Sequence, residues 1–225
     1  MRLRVIAVRP QPGLAATLAL ARDMGIAAEG VPLFEIRPRR WAAPDPDSID
    51  ALLVGSANAF AHGGRALARF ADKPVYAVGE KTAQAAKEAG FAVAATGAGG
   101  LQNVLDHMAS PARLLRVAGA QHVPLDPPDG VEIATVIAYE SAPLPMPSRL
   151  AGRLAAGALV LLHSGEAARH FAAESDRLTV ARSAVSLAAL APRIAEAAGE
   201  GWRAVQIAPE PSDTALLHMV HDMVT

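Results

Sequence analysis

Within residues 50–90, a short apolar run is followed by a turn and a longer alanine-rich segment, and this pattern occurs twice. The apolar run Ala51–Val54 is followed by the turn Gly55–Asn58 and an alanine-rich segment. A second apolar run, Val75–Val78, leads into Gly79–Ala83 and another segment of the same kind. Short apolar runs bounded by turn residues are typical of buried strands, and longer alanine-rich segments favour helices. The stretch therefore predicts strand, turn and helix twice in succession.

The same pattern returns in the C-terminal half of the chain. Ala158–Leu162 leads into His163–Glu166 and a helical segment, and Leu187–Leu190 leads into another. Ser56 and Ser164 take equivalent places in the two halves. A repeat of this length indicates two copies of one domain rather than a solenoid, whose units are much shorter.

The turns between strand and helix carry small or polar residues at the start of each helix. Free backbone N–H groups at such a position, together with the helix dipole, form a site for anions. In open parallel α/β sheets these turns gather at the carboxyl ends of the strands, where ligands bind. The pattern therefore predicts an α/β protein with parallel sheets and anion-binding turns.

Two proline-rich segments, Arg37–Asp47 and Ser141–Pro147, are candidate domain boundaries. Only three predicted elements precede the first boundary, which is too little for a domain: a strand at Val5–Val8, a helix at Gly13–Met24 and a second strand over Ala27–Ile36. We therefore expect this piece to complete the C-terminal copy. The expected division is lobe 1 at 1–35 plus 143–225, lobe 2 at 38–138, and linkers near 34–38 and 136–143. Two crossings between lobes would restrict their motion to hinge closure over a cleft.

Composition narrows the class of protein. Of the 225 residues, 52% are hydrophobic, which is ample for a core, and the formal net charge of -1 gives no reason to expect nucleic acid as a partner. The absence of cysteine excludes disulfides, thiolate metal sites and cysteine nucleophiles. The charged start, Met1–Arg9, is typical of a strand rather than a signal peptide, and no apolar run is long enough to span a bilayer. We expect a cytoplasmic protein.

Two motifs that hint at ligand sites are better explained by local structure. Gly97–Gly100 resembles part of a dinucleotide-binding loop, but Gln102 stands where the last glycine of that motif belongs. We interpret it as a flexible turn before a helix. His218 and His221 share a helix face, but only Asp222 lies nearby as a further ligand type, so no metal site is predicted.

Other charged residues leave two interpretations open. Arg37, Arg39 and Arg40 form the densest basic run, which fits a solvated linker. Alternatively, they meet carboxylates of a ligand held between the lobes. Three histidines flank the turns after the equivalent strands, where a histidine could touch an anionic ligand: His62, His163 and His170.

Hydroxyl groups stand at several of the turns. Ser56 and Ser164 follow apolar strands, but a serine nucleophile needs a base and an orienting acid that we cannot assemble from the sequence. Helix capping or ligand hydrogen bonding fits both serines better, and capping also explains Thr82. Tyr139 stands at the end of a predicted strand, where it either packs the hinge or donates a proton to a leaving group.

Taken together, these residues resemble the uroporphyrinogen-III synthase family over nearly the whole chain. The order and spacing of several motifs carry the resemblance. They are Arg9-Pro10, Val31-Pro32, Gly55–Ala59, Val78–Ala83, Tyr139–Ser141, His163–Ala167 and Ala208–Ser212.

The resemblance implies two flavodoxin-like lobes with parallel sheets, joined by a two-stranded linker, the first lobe being discontinuous. It also implies cyclisation of hydroxymethylbilane, a linear tetrapyrrole, with inversion of ring D and without a cofactor. The expected partner is this small-molecule substrate, and we expect no binding to nucleic acid or to a membrane. We expect the protein to be a monomer. A transient contact with the bilane-producing enzyme stays open.

The family's site residues map onto named positions of this chain. The resemblance implies that Tyr139 assists departure of hydroxide. It also implies that the substrate-binding residues are Arg9, Ser56, Ala57, Gly79, Lys81, Thr82 and Ser164.

Two departures from the family pattern keep an alternative open. Ala191 and Ile194 replace a usual glycine and threonine, and Gln121–Gly130 replaces a helix that often bears an arginine. These changes predict fewer anion contacts than the family pattern provides. The alternative is a non-catalytic two-lobed binding protein for an anionic metabolite.

Overall fold

Strands and helices alternate along most of the chain. The computed structural model describes residues 3–224, so Met1, Arg2 and Thr225 lie outside the described residues. The strands are β1 (Arg4–Ala7), β2 (Ala28–Gly30), β3 (Phe34–Pro38), β4 (Ala51–Val54), β5 (Val75–Val78), β6 (Val93–Gly97), β7 (Ala112–Gly119), β8 (Val131–Pro143), β9 (Ala158–Leu162), β10 (Val185–Ala189) and β11 (Ala204–Ile207). The α-helices are α1 (Gly13–Asp23), α2 (Asn58–His62), α3 (Gly64–Ala68), α4 (Glu80–Glu88), α5 (Leu101–Leu105), α6 (Ser148–Ala155), α7 (Gly165–Arg177), α8 (Pro192–Ala198) and α9 (Asp213–Val224).

The chain folds into two compact units. Unit 1 contains the residues up to Glu35 and from Ala142 onwards, and unit 2 is Ile36–Ser141. The sheet of unit 1 has the order β2-β1-β9-β10-β11, with neighbouring strands parallel. Because β1 pairs with β9, the start of the chain completes a sheet made mostly of C-terminal strands. This is the predicted discontinuous α/β lobe.

The sheet of unit 2 has the order β3-β8-β7-β4-β5-β6, and its neighbours from β8 to β6 are parallel. In chain order, unit 1 has the flavodoxin arrangement 2-1-3-4-5. Unit 2 has the same arrangement when counted from β7, in the order β7, β8, β4, β5, β6. The two units are therefore circular permutations of one topology, in which β4 corresponds to β9 and β7 to β1.

Both faces of each sheet are covered. In unit 1, Val160 and Leu162 of β9 pack with α6, α7 and α8, whereas Leu159 and Leu161 pack with α1 and α9. In unit 2, the alternating residues of β4 likewise divide between two core clusters. Parallel strands buried on both faces are continuously apolar, which is why these segments stood out in the sequence. Each large buried side chain contributes roughly 1.5–3 kcal/mol.

Some predicted strand boundaries were wrong. The segment Ala27–Ile36 was predicted as one strand, but it forms β2 and β3 in different sheets. Between them Val31 and Leu33 still donate to Ala7 and Val8, whereas Pro32 has no N–H to donate.

The apolar run from Phe91 to Ala95 forms a strand only from Val93 onwards. Phe91 N–H donates to Ala86 O, and Gly90 has φ of 87°, so both residues belong to the C-terminal cap of α4. β8 extends to Pro143, so Tyr139 lies inside the strand and not at its end.

No helix within residues 3–224 combines the length and the apolar character needed to cross a membrane.

Candidate functional site

A cavity of about 450 Å³ lies where β4 and β7 end in unit 2. These two strands flank the switch point of the sheet, where the direction of the crossovers reverses and where ligands bind in open α/β sheets. The volume is typical of a pocket for a small molecule. Six of its lining side chains can donate or accept hydrogen bonds: Ser56, Gln102, Arg116, Gln121, His122 and Tyr139. We call it the unit 2 cavity.

Tyr139 reaches the unit 2 cavity from β8. A register shift between Ala118 and Gly119 places Gly119 opposite Tyr139. A Cβ on residue 119 would lie 2.6 Å from Cε2 of Tyr139, so the ring needs glycine at that position. The ring also lies 6.3 Å from that of His62, centroid to centroid. The phenol predicted to be catalytic is thus held at the cavity by its neighbours.

Ser56 lies on the other side of the switch point from β7 and β8. It follows β4, lines the cavity, and its Oγ accepts a hydrogen bond from Asn58 N–H at 3.3 Å. Ala57 comes next and precedes α2. The serine therefore orders the turn, and no base within residues 3–224 activates it in the manner of a nucleophile. Of the predicted site residues, Ser56 and Tyr139 are brought together at this cavity.

Arg116 is a cavity residue that was not predicted. It lies in β7, it is 6% exposed, and its Nη2 donates to Val123 O at 2.8 Å. Burial lowers the pKa of Arg116, although a guanidinium remains charged at neutral pH. The signal in the sequence was a charge inside the apolar run Leu114–Ala118.

A loop covers this arginine. Residues 121–125, which we call the covering loop, follow β7 and line the cavity. Gln102 of α5 anchors its far end, because its side chain donates to Asp126 O and accepts from Asp126 N–H. Val123 in the middle is 76% exposed. The segment that replaces the expected arginine-bearing helix is therefore an irregular loop fixed at its ends.

Arg9 lies at the corresponding switch point of unit 1, after β1. Its Nη1 donates to both carboxylate oxygens of Asp213, at 2.8 and 3.1 Å, and to Thr17 Oγ1 at 3.2 Å. Thr17 Oγ1 in turn donates to Asp213 at 2.9 Å. Ser212 and Asp213, both residue types that can cap a helix, stand at the start of the last helix. Ser212 Oγ accepts from Ala215 N–H, whereas Asp213 binds Arg9.

His163 lies beside this cluster, directly after β9. Its side chain is 5% exposed, and Nε2 lies 3.6 Å from Asp213 Oδ1. Neither ring nitrogen makes a hydrogen bond with the described residues. Burial lowers the pKa of His163 to about 4, with a further contribution from the charge of Arg9, and Asp213 opposes the shift. The imidazole is therefore neutral near pH 7.

The remaining predicted site residues lie at the starts of helices. Ser164 caps α7, because its Oγ accepts from Ala167 N–H at 3.1 Å. Gly79, with φ of 78°, precedes α4, and Lys81 is exposed in its first turn. Thr82 in the same turn is only 5% exposed. None of these four residues lines the unit 2 cavity.

The structure gives the surroundings of several charged residues and histidines whose roles the sequence left open. Arg39 forms an exposed ion pair with Glu140 at 3.5 Å. His170 Nε2 lies 2.8 Å from Leu144 O and its ring meets Phe34 edge-on. His218 is exposed on α9. Within residues 3–224, no group of three or more histidine or acidic side chains is arranged to hold a metal ion.

The two residues that depart from the family pattern in unit 1, Ala191 and Ile194, lie at the start of α8. Ala191 begins α8 without a side-chain cap, and Ile194 is 2% exposed in the core of unit 1. A threonine at 194 would offer a hydroxyl at this turn, whereas isoleucine supplies only apolar packing.

Comparison with known proteins decides the family. Residues 15–218 match the family model described as Uroporphyrinogen-III synthase HemD. The chain belongs to the uroporphyrinogen-III synthase family. Members of this family are cyclising lyases of heme biosynthesis, which confirms the predicted enzyme class.

Solved uroporphyrinogen-III synthases are also similar to the chain. The structure of uroporphyrinogen-III synthetase from Helicobacter pylori 26695 matches with a TM-score of 0.67 at 17% identity, covering 99% of this chain and 100% of the other. It confirms the fold. A mutant synthase from Thermus thermophilus matches with a TM-score of 0.49 at 17% identity, covering 98% of both chains. A comparison with curated proteins gave no match.

Proposed function

We propose that the protein is a uroporphyrinogen-III synthase that cyclises hydroxymethylbilane with inversion of ring D. The match of residues 15–218 to the family carries this proposal. The position of Tyr139 and Ser56 at one cavity supports it, because both side chains were expected to serve the substrate.

The reaction needs geometry more than a strong nucleophile. The bilane loses hydroxide to give an azafulvene, which closes through a spiro intermediate, fragments and recloses with ring D inverted. The hydroxide leaves as water once a proton reaches it, and the pyrrole ring that carried it gives up its N–H proton, so the azafulvene is neutral and no net proton is consumed. Holding the two ends of the tetrapyrrole in one folded arrangement favours the inverted closure over simple closure. The protein supplies that arrangement through its loops, and no cofactor is required.

Tyr139 donates the proton in this proposal. A phenol can donate a hydrogen bond and a proton to a leaving oxygen. Two observations support its assignment: the ring is fixed against Gly119, and it lines the same cavity as Ser56.

The substrate carries many carboxylates, and the turns at the strand ends bind them in this proposal. Backbone N–H groups at the starts of α4 and α7, with the exposed Lys81 and Ser164, suit carboxylates. Arg9 uses Nη1 for Asp213 and Thr17, so we propose that it meets substrate with its other donors. The complete proposed set is Arg9, Ser56, Ala57, Gly79, Lys81, Thr82 and Ser164.

An isomer assay tests the function. Purified protein is given hydroxymethylbilane, the products are oxidised to porphyrins, and the type I and type III isomers are separated. We expect type III from the protein and type I from the enzyme-free control. Type I alone in both samples would refute the proposal. Tight binding of a different acid, with no effect on the bilane, would favour the non-catalytic alternative.

We also propose that the protein acts as a monomer. Light scattering during size-exclusion chromatography should give a mass near 23.2 kDa. A mass of twice that value would contradict it.

A further inference from the structure

Arg116 is a buried cation without an acidic partner in the part of the chain that the structure describes. Its guanidinium makes one hydrogen bond, from Nη2 to Val123 O, and its Nε is buried with no partner among the described residues. No carboxylate within residues 3–224 forms an ion pair with it. Arginine is almost never buried to this degree unless it is paired.

Other arginines of the chain show the contrast. Arg113, three residues earlier in the same strand, binds Asp50 through two nitrogens. Arg177 and Arg182 bind Glu174 and Asp176 in the same two-pronged way. All three are more exposed than Arg116, so leaving any of them without an acidic partner would cost less free energy. An unpaired buried charge costs several kcal/mol, so the position of Arg116 calls for a ligand that compensates it.

The unit 2 cavity supplies the room for that ligand. Arg116 lines it together with Ser56, Tyr139 and the side chains of the covering loop. A guanidinium binds a carboxylate through two parallel hydrogen bonds, and the unpartnered Nε is one donor of such a pair.

The covering loop can yield to this ligand at small cost. Its contact with the guanidinium is a single carbonyl oxygen, that of Val123, whose side chain points to solvent and is 76% exposed. Because this side chain is already exposed, moving Val123 itself uncovers little of its own apolar surface. The anchor at Gln102 and Asp126 lies outside the part that must move.

We infer that Arg116 binds a carboxylate side chain of the tetrapyrrole in the unit 2 cavity and replaces the anion contact expected from the missing arginine-bearing helix. The inference rests on the proposed function. It makes Arg116 a substrate-binding residue and the Val123 carbonyl a placeholder for the substrate carboxylate.

Three variants test the inference: Arg116→Met, Arg116→Lys and the matched control Arg113→Met. Steady-state kinetics with hydroxymethylbilane and the Tm without ligand are measured for each. For Arg116→Met we expect KM to rise roughly ten- to hundredfold, the range for losing hydrogen bonds to a charged group, with a smaller change in kcat. Arg116→Lys keeps the charge but not the two-pronged hydrogen bonding of the guanidinium. Its KM should lie between those of Arg116→Met and the wild type.

The Tm provides a second readout that a merely structural arginine would not give. Removing an uncompensated charge should raise the Tm of Arg116→Met above that of the wild type, while its affinity for substrate falls. Arg113→Met should lower the Tm slightly and leave KM unchanged, because its ion pair is exposed. An unchanged KM or a lowered Tm in Arg116→Met would overturn the inference. Wild-type protein that forms no type III isomer would overturn the proposed function itself, which is a separate observation.

Discussion

At the residue scale, His163 is a titratable side chain held in its neutral form. It follows β9, it is 5% exposed, and it lies between the core of unit 1 and the Arg9–Asp213 ion pair. Its pKa falls from the ordinary 6.5 to about 4, chiefly because burial disfavours the charged ring and secondarily because Arg9 repels it. Folding therefore excludes a proton that the unfolded chain would bind in mildly acidic solution.

This exclusion predicts a pH-dependent stability. The contribution of His163 is fully present above pH 6.5 and is lost as the pH falls towards 4, because unfolding takes up a proton in that window. Between about pH 7 and pH 5, the free energy of unfolding of the wild type should fall by about 2 kcal/mol from this group. In His163→Leu the fall should largely disappear, as measured by urea unfolding at both values.

A control separates this effect from other groups. His218→Leu changes an exposed histidine and should keep the wild-type slope. Arg177 and Met146 N–H bind the carboxylate of Glu174 and lower its pKa to about 2. Protonation of Glu174 therefore lowers the free energy of unfolding only below about pH 4.5. Equal slopes for the wild type and His163→Leu would show that His163 does not control this window.

Tyr139→Phe tests the proposed proton donor. The ring keeps its contacts with Gly119 and His62, so the Tm should stay within about 1 °C of the wild type. The kcat for type III formation should fall roughly a hundredfold or more, the range for losing a general acid. Tyr76→Phe, which changes the other tyrosine of the chain, should leave kcat unchanged. An equal kcat for both variants would remove Tyr139 from the chemistry.

Sequence reasoning succeeded at residues whose role is local. Ser164 precedes its helix directly, and its capping bond to Ala167 follows from that spacing alone. It failed at Arg116 and at the Arg9–Asp213 pair. Arg9 and Asp213 lie far apart in the chain, so no local pattern signals their contact. Val123 lies close to Arg116 in sequence, but the path of an irregular loop cannot be read from its residues.

At the scale of elements, Asp213 ties the last helix to the first strand and the first helix. Its carboxylate accepts from Arg9 after β1 and from Thr17 in α1. Asp213→Asn removes the charge and weakens both contacts. We expect the free energy of unfolding to drop by about 1–3 kcal/mol, the range for hydrogen bonds to charged groups.

The same substitution elsewhere on the helix provides the comparison. Asp222 is exposed on α9, and Asp222→Asn should change stability by less than about 0.5 kcal/mol. Chemical denaturation at pH 7 measures both. A loss in Asp222→Asn as large as that in Asp213→Asn would mean that overall charge, and not the tether, sets the stability.

Elements buried on both faces were the easiest to predict. β4 and β9 have the predicted boundaries, because each apolar run ends at a turn. The split between β2 and β3 was missed because it depends on which sheet a residue joins. That choice is set by distant strands, β1 on one side and β8 on the other.

At the scale of the whole molecule, the repeat in sequence indicated two copies but not their permuted strand order. The repeat shows that β4 resembles β9 and β5 resembles β10. It does not show that β7, which follows them, takes the place that β1 takes before β9. Strand pairing over long separations leaves no local pattern, so the order had to come from the structure.

The permutation predicts different behaviour for fragments. Residues 36–141 contain β4 to β7 complete and all but the first two residues of β3 and the last two of β8, so they should unfold cooperatively when produced alone. Residues 142–225 lack β1 and β2, which leaves the edge of β9 and its apolar neighbours uncovered. We expect this fragment to show no cooperative transition by circular dichroism.

A rearranged fragment supplies the control. Joining residues 142–225 to residues 1–35 through a flexible linker restores all five strands of the unit 1 sheet, so cooperative unfolding should return. Cooperative unfolding of 142–225 alone would show that β1 and β2 are dispensable.

The discontinuity of unit 1 has a consequence for biosynthesis. β1 ends at Ala7, and β9, against which it pairs, begins at Ala158. At about 5–20 residues per second, translation needs roughly 8–30 s to pass from the end of β1 to the start of β9. The inserted domain is finished during that interval, so the nascent protein matures from its middle outwards.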